Sequence, residues 1–95
     1  MADGIEFDWD EANLDHIARH NVSREEAEQV FSNGVAVIDY QMVGGEERWL
    51  VTGRSNAGRF LTIPWTFRED AVRVITAWDA TKEEEAIYWA EKGGQ

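Results

Sequence analysis

Nine basic side chains and two histidines face nineteen acids in this 95-residue chain, so its few cations decide what chemistry is open to it. His20 is the candidate for moving protons, because an unperturbed imidazole titrates near pH 6.5, roughly at physiological pH. Arg48, Arg54, Arg59 and Arg73 are the candidates for holding an anion. A guanidinium fork suits a phosphate, and it suits a carboxylate equally well. Arg19, beside His20, either joins that group or pairs with Asp15 one turn back, a surface contact of about 0.3–0.5 kcal/mol. His16 reads as solvent-facing, and His20 at a helix end equally suits the helix dipole.

Charge restricts where an anion could sit. The net charge is −10 and the sequence pI is near 4.5. Residues 1–40 hold 2 bases and 10 acids, residues 41–75 hold 5 and 4, and residues 76–95 hold 2 and 5. Both ends repel anions, which leaves the middle third. Acidity also has a plainer reading, as a device for keeping a small domain soluble. With no cysteine, disulfides, thiolate chemistry and Cys-based zinc sites are excluded. No apolar run approaches the roughly 18 residues of a membrane span, and no signal-peptide pattern opens the chain, so a cytoplasmic protein is expected.

The elements that would position these residues follow from periodicity. One domain over residues 1–95 is expected, with residues 1–4 and 93–95 fraying. Asp10 caps a helix over residues 11–20, and Leu14, Ile17 and Ala18 share one face. Asn21 tolerates the left-handed conformation that ends it. Ser23 and Glu26 form a capping box for a second helix, with Ala27, Val30 and Phe31 on its apolar stripe. Strands follow over residues 35–40, 47–54, 59–67 and 72–78, separated by turns at Gly44-Gly45, residues 55–58 and residues 68–71. Pro64 implies an edge position or a bulge. Alternation places Val72, Val74, Thr76 and Trp78 on one face and Arg73, Ile75 and Ala77 on the other, while Arg48, Leu50, Thr52 and Arg54 share a face of the second strand. Thr81 and Glu84 open a last helix. The fold expected is α+β: two N-terminal helices, a four-stranded antiparallel meander sheet and a C-terminal helix, with the helices on one face.

Three stretches resemble the BrnT toxins. FDWDEANLDHIARHNVSREEAEQVF (residues 7–31) is similar to that family's Phe-x-Trp-Asp start, Lys/Arg-His-Gly-Val junction and Ser-x-x-Glu-Ala helix. EERWLVTGRSNAGRFL (residues 46–61) resembles its Glu-Glu-Arg strand and Gly-Arg turn, and RVITAWDAT (residues 73–81) its Arg-x-Ile-Ser/Thr-Ala-Arg-x-Ala-Thr. The resemblance implies a RelE-like fold and a metal-independent endoribonuclease, needing no cofactor, acting as the toxin of a type II toxin–antitoxin pair. The implied partners are a cognate antitoxin, small and DNA-binding, and mRNA; a homodimer is left open. The sequence departs from the family pattern at Asn21, in place of Gly, and at Trp78, in place of Arg. The last helix, KEEEAIYWAEK, is acidic where relatives are Arg-rich.

Such an enzyme uses the 2′-hydroxyl as nucleophile and needs a base, a cation for the phosphorane and an acid for the 5′-oxygen. The resemblance and the chemistry together assign catalysis to His20, Arg48, Arg54 and Arg73, and RNA contact to Arg19, Arg59 and Trp78. Trp78 could stack a base, anchor a partner protein together with Trp89, or pack the last helix with Trp89 and Tyr88. Replacing a cation by Trp78 weakens catalysis more than binding, which favours a second reading as a protein-binding module.

Overall fold

Local capping chemistry starts all three helices. The computed structural model describes residues 4–93, and in it α1 runs Glu11–Ala18, α2 Arg24–Ser32 and α3 Lys82–Glu91. Each opens with a reciprocal box: Asp10 with Asn13, Ser23 with Glu26, and Thr81 with Glu84. The chain leaves α1 through Asn21 at φ 59, the left-handed exit anticipated from its type. The fraying expected at the two termini lies almost wholly outside the described residues.

The strands are β1 (Val35–Val43), β2 (Glu46–Arg54), β3 (Phe60–Arg68), β4 (Ala71–Val74) and β5 (Trp78–Asp79). They pair antiparallel in the order β1-β2-β3-β4, with β5 also on β3. The α+β meander is as expected, but the single strand over residues 72–78 is two strands.

Pro64 gives the physical reason. It sits in the middle of β3, flanked on both sides, and not at an edge. The amide of Ile75 donates to the Pro64 carbonyl at 2.8 Å. The reciprocal bond of an antiparallel pair cannot form, because proline has no N–H. Pairing therefore stops there, and it resumes one residue out of step: Trp65 faces Val74, but Thr62 faces Trp78. This bulge reverses the expected faces. Ala77 joins Val72 and Val74 in the core, and Trp78 moves to the side of Thr62.

Helices cover both faces of the sheet, not one. Val30 of α2 and the Gly34 carbonyl press against Gly53, where an added Cβ would meet each at 2.9 Å. The core lies on that side, where Ile17, Val22, Ala27 and Val30 pack on Val51, Leu61, Ile63 and Val74. The next residue of β2, Arg54, points to the opposite face, where its paired Phe60 packs on Tyr88 and Trp89 of α3. Thr52 and Thr62 lie 2.8 Å apart beneath α3, and Thr62 donates to Glu84 at 2.7 Å.

Helices of 8 and 9 residues reach only about 12–14 Å, whereas a 9-residue strand spans about 30 Å. The end of the sheet that carries the β1–β2 turn therefore extends past α1 and α2, and Tyr40, Met42, Val43 and Phe67 are exposed there. No helix among the described residues is long and apolar enough to cross a membrane.

Candidate functional site

The arginines of the middle third separate into two groups. Arg59 is tied down on every side. Its Nε donates to Asp79 at 2.8 Å, its Nη1 to Glu26 at 3.1 Å and to the Asn21 carbonyl at 2.7 Å, and its Nη2 to the His20 carbonyl at 3.2 Å. Arg73 is similarly held, donating to Asp8 at 3.3 Å and Asp10 at 3.1 Å. The Arg59 hydrogen bond holds the Asp79 carboxyl below its ordinary range, and the charge of His20 adds to this. Glu26 is lowered first by the Ser23 amide and then by Arg59, and Asp10 is lowered mainly by Arg73. Both guanidiniums are pushed up by the same partners. Together they clamp the two ends of α1 to the sheet.

The remaining arginines are held weakly. Among the described residues Arg19 meets only Asp15, and Arg48 only Glu46 two residues away on its own strand, in pairs open to solvent. Exposed pairs of this kind contribute about 0–1 kcal/mol, so a phosphate can displace them. Arg54 has no carboxylate partner among the described residues, and its guanidinium stacks on Phe60 and Trp89 at 5.7 and 5.1 Å. Arg48, Arg54, Arg73 and Trp78 occupy one face of the sheet, but Arg73 turns to its edge and Arg54 sits under α3, away from Arg48. Trp78 is half-buried beside Thr62, while Trp89 is spent on Phe60, Tyr88 and Arg54.

A cleft forms where the sheet is broken. It holds about 320 Å³ and is lined by His16, Arg19, His20, Ile75 and Thr76. Ile75 also lines a second cleft of about 270 Å³ on the bare sheet, with Asp39, Gln41, Arg48, Trp49, Leu50 and Pro64. The two share only Ile75: His16, Arg19 and His20 gather on the α1 side of it, and Arg48 lines the cleft on the opposite sheet face.

His16 is exposed, as its sequence position suggests, and its Nδ1 also lies 3.2 Å from the Ile75 carbonyl. That carbonyl is the one Pro64 leaves without a partner. A carbonyl only accepts, so Nδ1 carries the proton there, and Nε2 of the neutral ring is an acceptor. The one signal in the sequence was the proline within a strand. No group of three or more His, Asp or Glu side chains among the described residues is arranged to hold a metal ion.

A family model described as "Ribonuclease toxin, BrnT, of type II toxin-antitoxin system" matches residues 9–84, well over half of the chain. The chain belongs to the BrnT family. The match runs from Trp9 through the Arg59 clamp and both clefts to Glu84, which closes the capping box of α3 with Thr81. No curated protein matches this BrnT-family chain.

Proposed function

We propose that this BrnT-family chain is a metal-independent endoribonuclease toxin that cuts mRNA in the cytoplasm, is neutralised by a DNA-binding antitoxin and has a RelE-like architecture. The observation that carries the reading is the cleft that gathers His16, His20 and Arg19 around Ile75, with loosely held Arg48 in a second cleft that also reaches Ile75. His16 Nε2 takes the 2′-hydroxyl proton, its ring fixed by the Ile75 carbonyl. His20, one helical turn on, returns a proton to the departing 5′-oxygen. Arg19 and Arg48 exchange their exposed carboxylates for the phosphate and stabilise the phosphorane. Trp78 and Arg54 contribute RNA contact from the sheet face that carries Arg48, while Arg59 holds the backbone of His20 and Arg73 holds the start of α1.

Purified protein incubated with mRNA and a chelator is expected to cut it, and His20→Ala is expected to slow cleavage about 10²–10⁴-fold. Intact RNA at high protein concentration refutes catalysis.

A second reading is supported by the engaged arginines. With Arg59 and Arg73 satisfied by carboxylates and Trp78 in place of a cation, the chain would serve chiefly as a protein-binding module for a basic partner. Antitoxin binding without RNA cleavage would select it.

A further inference from the structure

We propose that the aromatic strip on the bare end of the sheet docks a basic amphipathic segment of the partner protein; this rests on the toxin–antitoxin reading above. On the α1/α2 side, Trp49 and Trp65 stack at 4.7 Å, and Tyr40 and Phe67 approach Trp49 at 5.6 and 5.5 Å. Phe67 is 52% exposed and Met42, on the same face, 59%. Phe31 of α2 packs edge-on against Trp65 at 5.7 Å, and beyond it Tyr40, Met42 and Phe67 stay exposed. A connected apolar surface of this kind marks a place where another molecule sits, and large aromatics with Met are the usual anchors of a protein interface.

Charge selects the occupant. Both turns at this end carry acids: Glu46 and Glu47 after the β1–β2 turn, Glu69 and Asp70 between β3 and β4. Of the cations at this end, Arg48 projects from the opposite face of the sheet and Arg68 lies 3.9 Å from Asp8. A cleft of about 280 Å³ opens here, lined by Glu46, Glu47, Trp49, Thr66 and Phe67 with Gly45. Two carboxylates beside two aromatic rings form a seat for a Lys or Arg side chain. The rings alone would also stack RNA bases, but the acids repel phosphate; a second copy of this chain would bring its own −10 charge. A segment with apolar side chains on one flank and basic ones on the other satisfies both features.

The test uses the purified product of the adjacent reading frame as probe, with a single-stranded RNA oligonucleotide and sedimentation of this protein alone as parallel arms. Met42→Asp and Phe67→Glu are each expected to weaken probe binding about tenfold or more, as at interface hot spots. Melting temperature and RNA cleavage are expected to stay unchanged. Glu47→Lys is expected to weaken binding and flatten its salt dependence. Undiminished probe binding by Met42→Asp and Phe67→Glu overturns the docking surface and leaves the toxin reading standing. Variants that lose RNA affinity instead reassign the strip to RNA, and loss of self-association reassigns it to a second copy. Failure of the unsubstituted protein to bind the probe overturns the toxin–antitoxin reading and the docking surface with it.

Discussion

Arg59 and Arg48 stand at opposite ends of one sheet, and the fold uses them differently. Arg59 bonds to four groups on three neighbouring segments with its side chain only 26% exposed, whereas Arg48 is 41% exposed and meets one carboxylate on its own strand. Identical chemistry thus serves architecture at the helix-covered end and stays available to a ligand at the bare end. An arginine counted as an anion site from its residue type alone is an overcount: what matters is how many of its N–H groups the fold has already used.

The sharpest way to break this contrast is to delete the clamp. Arg59→Ala is expected to lower stability by about 2–3 kcal/mol, because it leaves Glu26, Asp79 and two backbone carbonyls without their donor. Denaturant unfolding measures it, and a loss below about 0.5 kcal/mol, the usual range for surface changes, would remove the distinction.

Acid should erase the same difference. Glu26 and Asp79 are held below their ordinary range in the folded chain, so their contribution is complete above the unfolded carboxylate value of about 4. It is lost as pH falls through the depressed folded values. Melting curves of the unsubstituted and Arg59→Ala proteins are therefore expected to lie far apart at pH 7 and to converge below about pH 4. A gap that stays constant into acid would mean that the clamp is not ionic.

The smallest stability effect is expected at the other end. Arg48→Ala should change stability by no more than about 0.5 kcal/mol, since it removes one exposed pair. It should nevertheless weaken RNA binding and reduce its salt dependence, as read by titration at two ionic strengths. A large stability loss without change in RNA affinity would make Arg48 a second clamp.

Legibility in the sequence followed the distance over which each feature is determined. The boxes of Ser23 with Glu26 and of Thr81 with Glu84 span three residues, and they were readable because a capping box is local. The meander was readable from Gly44-Gly45 and residues 55–58, since turn residues announce themselves. The partners of Arg59 lie 20, 33, 38 and 39 residues away, and no periodicity reports them. Arg48 and Arg54 were correctly placed on one face by alternation; what alternation could not show is that α3 lies over Arg54 alone. The exposure of His16 was legible but its contact was not, because the partner carbonyl belongs to Ile75, 59 residues on.

Proline at position 64 has one further effect. The amide hydrogen it lacks sets the facing of Trp78, and with it the side of the ribbon on which the last helix begins. The register step beside this one nitrogen thus precedes the turn of the chain to the sheet side that α3 (Lys82–Glu91) covers, opposite α1 and α2.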